Sequence, residues 1–220
     1  IGGKASGLAF IRETLKRVAS DDGWTQQISV RIPRLVVIAT DAFDQFMERN
    51  KLYSTASQSS SDDQLAHAFQ KANLPEEIVG DLRALVESSH TPLAIRSSSM
   101  LEDAMYQPFA GVYSTKMIPN HDPNPDHRFH RLVEAIKLVY ASVFFREARD
   151  YRKAAGKGDL DEKMAVIIQE VVGTKHDQRF YPDVSGVGRS YNYYAFSPAK
   201  PEDGVFSLAL GLGKLIVDGG

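Results

Sequence analysis

The chain has 220 residues, a formal net charge of −2, 43% hydrophobic and 25% charged residues, and no cysteine. These values are ordinary for a soluble globular protein of one large or two small domains. They exclude disulfides and thiolate metal sites and leave no electrostatic footprint for nucleic acid or an acidic membrane. No apolar run approaches the roughly 20 residues of a membrane span, and no signal-peptide pattern is visible, so a cytoplasmic setting is expected.

In chain order, residues 6–18 place Leu8, Ile11, Leu15 and Val18 at helical spacing. Ile32-Pro33 leads into a continuously apolar, β-branched run, Leu35-Val36-Val37-Ile38-Ala39, which predicts a buried strand. Thr40-Asp41 reads as the N-cap of a helix carrying Phe43, Phe46 and Met47. Residues 54–63, rich in Ser and Asp, read as a surface loop, and helices are expected over 63–72 and 75–88. Short strands are expected over 92–95 and 109–115, followed by a single long helix over about 127–155 that Gly156 and Gly158 end. Residues 164–172 predict another buried strand, with two more over 186–196 and 205–210. Helices and strands mix without strict alternation, so the class is α+β.

Five segments carry candidate chemistry. In Gly2-Gly3-Lys4 the glycines permit close approach of backbone N–H groups to phosphate and the lysine neutralises its charge, although Gly-Gly-Lys is also a common surface turn. It lacks the glycine spacing of a Walker A loop. Arg96-Ser97-Ser98-Ser99 offers a planar cation and small donors to a polyphosphate, with Glu102-Asp103 after it able to salt-bridge or orient Arg96, or else a polar loop with a helix cap. Phe109-Ala110-Gly111-Val112-Tyr113-Ser114-Thr115 is a small-residue turn joining an aromatic to a strand, able to fold over phosphates or to make an ordinary hairpin. The strand ending Gln169-Glu170-Val171-Val172 combines an apolar body with a polar tail, which suits adenine as well as a plain core. Finally, Gly211-Leu212-Gly213-Lys214 precedes Asp218, a carboxylate able to face a metal–phosphate unit.

Taken in order and spacing, these segments resemble the N-terminal nucleotide-binding domain of phosphoenolpyruvate synthase and pyruvate phosphate dikinase, across essentially the whole chain. The series also includes Ile-Pro with Thr-Asp-Ala-Phe, and Ala-Ser-Val-Phe with Arg-Asp-Tyr-Arg. The resemblance implies an ATP-grasp fold in which two α+β subdomains, approximately residues 1–110 and 111–220, clasp ATP and Mg2+. It implies that Lys4 and Arg96 hold the phosphates and that Gln169, Glu170, Val171 and Val172 line the adenine pocket. Ser97, Ser98, Ala110 and Gly111 would lie near the phosphates, and Asp218 would serve the metal. The histidine that carries the phosphoryl group, and the domain that binds pyruvate, lie elsewhere in such enzymes. Since the chain starts at Ile1 within a motif and stops at Asp218-Gly219-Gly220, it is expected to be part of a longer polypeptide.

Three positions depart from the family pattern. Lys214 replaces the usual Glu of Gly-Leu-Gly-Glu, Ser207 stands where an acidic residue is frequent, and Asp218 stands where Gln or Ser is frequent. None of the six histidines (His67, His90, His121, His127, His130, His176) has the glycine-rich setting of the family's phosphocarrier, and they read as surface or packing residues. The expected activity is conversion of ATP and pyruvate to phosphoenolpyruvate by the parent enzyme. Alternatives are a glucan or antibiotic acceptor, or a degenerate nucleotide-binding module.

Overall fold

The computed structural model describes residues 2–18, 29–58, 61–101, 111–156 and 162–213. It divides into two compact units, Ile1–Val171 and Val172–Gly220. Strands beyond residue 110 pair into the sheet of the first unit.

In the first unit, helix α1 (Gly3–Val18) is followed by strand β1 (Leu35–Ile38), then by α2 (Thr40–Arg49), α3 (Leu52–Gln58), α4 (Asp62–Lys71) and α5 (Glu76–Ser88). After these come β2 (Leu93–Ser98), β3 (Thr115–Ile118), α6 (Pro125–Ser142), α7 (Arg146–Ala154) and β4 (Ala165–Glu170). The strands form one sheet in the order β1-β4-β2-β3, with every neighbour antiparallel. Directly opposed residues share a face, so the register sorts the sheet into two sides. Ile38, Val166, Ile168, Leu93 and Ile95 belong to the core that the helices complete, around Phe43, Phe46, Phe69, Tyr140 and Phe144. Tyr140 meets Phe43 edge-on at 5.0 Å and Phe46 at 5.3 Å. The other side carries Leu35, Val37, Ala165, Ile167, Gln169, Ala94, Arg96, Ser98, Thr115 and Met117.

Several expectations change. β1 is an edge strand rather than a buried one; only Ile38 is buried and Val36 is exposed. Thr40 opens α2 as its first helical residue, and the cap is Ala39, without a side-chain bond. Residues 54–58 are helical in α3, because Leu52 and Ala56 have apolar surface to bury; residues 59–60 lie outside the described residues. The long helix over 127–155 is two helices. Val143, Phe144 and Phe145 bond back three residues, to Tyr140, Ala141 and Ser142, which tightens the chain and turns Val143 and Phe144 into the core. The buried Arg152 then donates from Nη1 to the Val143 carbonyl at 2.6 Å, satisfying it at the break. The strand expected over 109–115 lies later, at β3, after a turn through Gly111.

The second unit contains the hairpin β5 (Thr174–His176) and β6 (Arg179–Tyr181), which periodicity did not reveal, and the ribbon β7 (Val184–Arg189) and β8 (Val205–Leu210). β7 stops at Arg189, not near Phe196. Gly186 and Gly188 leave room for β8 side chains folded across the ribbon; a Cβ on either would stand 2.5 Å from Leu208 Cδ2 or 2.6 Å from Phe206 Cε1. Gly211 donates its N–H to the Asp183 carbonyl at 2.9 Å, tying the glycine turn to the start of β7. The chain is α+β, and among the described residues no helix is long and apolar enough to cross a membrane.

Candidate functional site

The joint between α1 and β2 organises the side of the first unit's sheet that carries Arg96. Gly2 has φ +74°, a left-handed conformation natural to glycine, and a Cβ there would stand 2.1 Å from the Ser98 carbonyl oxygen. This close approach lets the Gly3 N–H donate to the Ser99 carbonyl at 3.2 Å and the Ala5 N–H donate to Ser98 Oγ at 3.1 Å. Ser98, fully buried, therefore acts as a helix cap supplied from another element. Two first-turn N–H groups are consumed in the joint, so Gly-Gly-Lys works here as a docking element for α1 and not as an open phosphate nest. Its product is placement of Lys4, which is half-buried with its ammonium nitrogen withdrawn from solvent.

Arg96 lies two residues before Ser98 on β2, about 7 Å along the strand and on the same face. The fold thus brings the start of α1, with Lys4, to the side of the sheet that carries Arg96. The Arg96 guanidinium donates from Nη1 to Gln169 Oε1 at 3.2 Å. Arg96 faces Ile167 on one side and Thr115 on the other; Gln169 faces Leu35 and Ala94. Arg96 and Gln169 are consequently diagonal neighbours across the β2–β4 pair, and no carboxylate is paired with Arg96 among the described residues.

The remaining residues divide. Ser97 is buried on the helix-facing side of β2, opposite Val166, and so points away from Arg96. Glu170 also belongs to that side: it opposes Leu93, and its Oε1 accepts from Ser89 Oγ at 2.8 Å. The Glu170 N–H donates to the Arg34 carbonyl at 2.9 Å and the Val171 N–H to the Pro92 carbonyl at 2.8 Å, so both donors are engaged by the sheet's neighbours. Val172, which opens the second unit, is exposed. Gly111 is an exposed turn glycine with φ +83°. Ala110, Glu102, Asp103, Lys214 and Asp218 lie outside the described residues. Ser207 is exposed on β8, opposite Val187. Among the described residues no group of three His, Cys, Asp or Glu side chains converges as a metal site.

Thr115, the last residue of the small-residue segment that begins at Phe109, and Met117, which was not singled out by sequence, both share the Arg96 face; Met117 opposes Ala94 and is largely exposed. Only strand register places them on that face, because Thr-Lys-Met-Ile carries no motif.

Comparison with known proteins follows the same lines. The family model described as "Pyruvate phosphate dikinase, AMP/ATP-binding domain" matches residues 1–220. An uncharacterized phosphotransferase, YvkC, of Bacillus subtilis is 27% identical over 190 residues, covering 86% of this chain and 20% of that protein. The rifampicin phosphotransferase of Streptomyces sviceus is 26% identical over 210 residues, covering 86% of this chain and 22% of that protein. The chain thus spans about a fifth of the length of the curated relatives it matches. It belongs to the AMP/ATP-binding domain family of pyruvate phosphate dikinase.

Proposed function

We propose that this chain is the ATP-binding part of a phosphoenolpyruvate synthase-like phosphotransferase, with the ATP-grasp fold that its resemblance implies. The observation that carries the reading is the delivery of Lys4 and Arg96 to one side of the sheet through the Ser98–Ala5 hydrogen bond. Two cations on one side of a sheet suit a polyphosphate, where each charge-assisted contact contributes about 1.5–3 kcal/mol. Arg96 presents a planar donor fork and Lys4 a point charge, a combination that both orients and neutralises a phosphoryl chain. Gln169 stands beside Arg96, and Glu170, Val171 and Val172 after it form the adenine side of the reading.

ATP with Mg2+ would give its pyrophosphoryl end to a histidine on another domain of the longer polypeptide, releasing AMP; hydrolytic loss of inorganic phosphate would leave a phosphohistidine, whose phosphoryl group would pass to pyruvate. The described residues fit the phosphate end of such a nucleotide. On the metal, the reading rests on Asp218 and the Gly-Leu-Gly-Lys turn by resemblance alone. A cytoplasmic setting follows from the same reading. An antibiotic acceptor is the second reading, prompted by the 26% identity to rifampicin phosphotransferase, which does not favour it over the first.

Incubating the full-length polypeptide with Mg–ATP and either pyruvate or rifampicin, and following AMP formation, separates these readings. AMP formed with pyruvate, and lost in Lys4→Ala and Arg96→Ala, is the expected result. AMP formed only with rifampicin transfers the assignment to the second acceptor. No ATP binding by calorimetry overturns both.

A further inference from the structure

The Arg96–Gln169 contact has a chemical peculiarity. A buried or half-buried arginine is most often held by a carboxylate, which satisfies its donors and also cancels its charge. Here the partner is a neutral amide oxygen at 3.2 Å. Gln169 is itself almost fully buried, at 9% exposure, between the facing residues Leu35 and Ala94. Ala94 offers only a methyl group, leaving room for the Gln169 side chain to run along β2 toward Arg96, one pleat on. Around the guanidinium, the facing residues Ile167 and Thr115 are uncharged. The arginine is therefore oriented without an opposing charge among the described residues.

We propose that Gln169 is a positioning residue: its amide oxygen fixes the Arg96 guanidinium in place while leaving its whole positive charge for the phosphates of the nucleotide. This rests on the reading of Arg96 as a phosphate-binding residue, and it moves Gln169 from adenine lining to the phosphate side. A glutamine suits the task where a glutamate would not. The two are nearly isosteric, but a carboxylate beside Arg96 would remain ionised and would repel the incoming polyphosphate.

The test titrates the full-length polypeptide with Mg–ATP and, separately, with Mg–tripolyphosphate, which has the phosphates but no base. Gln169→Ala and Gln169→Glu are both expected to weaken both ligands about tenfold, the effect of one charge-assisted contact. Thermal melting of Gln169→Glu, close to wild type, separates this loss from misfolding. On an Arg96→Ala background, Gln169→Ala is expected to cost no further tripolyphosphate affinity, since the two residues act as one unit. Loss of ATP affinity with tripolyphosphate affinity intact would assign Gln169 to the base and overturn the proposal. Wild-type affinity in Gln169→Glu would also overturn it, by showing that charge beside Arg96 is immaterial. If wild type binds neither ligand, or Arg96→Ala binds both like wild type, the underlying phosphate-site reading fails first.

Discussion

Substituting Gly2 with alanine puts the docking of α1 to a quantitative test. The new Cβ would stand 2.1 Å from the Ser98 carbonyl oxygen and 2.5 Å from its carbon, and the residue would have to keep φ +74°. The left-handed conformation costs a non-glycine residue about 1–2 kcal/mol. Backbone atoms of β2 have no free rotamer with which to yield, so the overlap is relieved by moving the start of α1 away. That movement breaks the Gly3–Ser99 and Ala5–Ser98 bonds, at about 1 kcal/mol each. The total, about 3–4 kcal/mol, is confined to the joint because the rest of α1 is held loosely, with Phe10 69% and Ile11 47% exposed. Global melting should therefore shift little, while the amides of residues 3–6 lose hydrogen-exchange protection. With Lys4 displaced, Mg–ATP affinity of the full-length protein should fall about 10–100-fold, the value of one contact to a charged group. Unchanged exchange and an affinity within about twofold of wild type would refute the claim that the glycine joint positions Lys4.

Other outcomes follow from groups in the same unit. Tyr140 Oη is buried and lacks a hydrogen-bond partner among the described residues, and burial pushes its ionisation well above the ordinary range. Tyr140→Phe removes that unpaired hydroxyl and should raise stability by about 1 kcal/mol, read as a higher melting temperature in calorimetry. Asn120, at φ +51°, donates from Nδ2 to the Ser89 and Thr91 carbonyls at 2.8 and 3.1 Å. Asn120→Ala should cost about 2–4 kcal/mol in denaturant unfolding, and Asn120→Gly measurably less, because glycine keeps the left-handed backbone and loses only the two bonds. Asp126 is held below its ordinary pKa first by the hydrogen bond from Arg83 and then by its charge. Depression in the folded state makes this contribution present above the unfolded pKa and lost as pH falls through the folded one. In Asp126→Asn the acid limb of the stability–pH curve should accordingly be flatter, and an unchanged limb would remove Asp126 from the account.

Local sequence singled out Lys4 and Arg96, the cations of the proposed phosphate site, together with the apolar runs that became β1, β2, β4 and most helices. Such features depend on neighbours three or four residues apart, on strand alternation, or on motif order, all of which are written along the chain. It also held the α+β class and the family. The single helix expected over 127–155 failed for a different reason. Its break at residues 143–145 is driven by burial of Val143 and Phe144 and by Arg152 reaching back to the Val143 carbonyl. Periodicity continues through that point, so only packing decides it.

The site divides in the same way. Sequence placed Arg96, Ser97 and Ser98 side by side, but side chains alternate along a strand, and register against β4 sends Ser97 to the core and keeps Arg96 and Ser98 together. Nothing local indicates that Ser98 caps a helix ninety-three residues upstream in sequence, or that Gln169 reaches Arg96 across the strand pair. Those contacts join segments far apart in the chain, and the free energy that selects them comes from burying the intervening core. The sequence by itself determined which candidate groups the protein has for the proposed nucleotide site; the tertiary structure decided which of them stand on one face, because only the antiparallel register of β1, β4, β2 and β3 assigns each side chain its side.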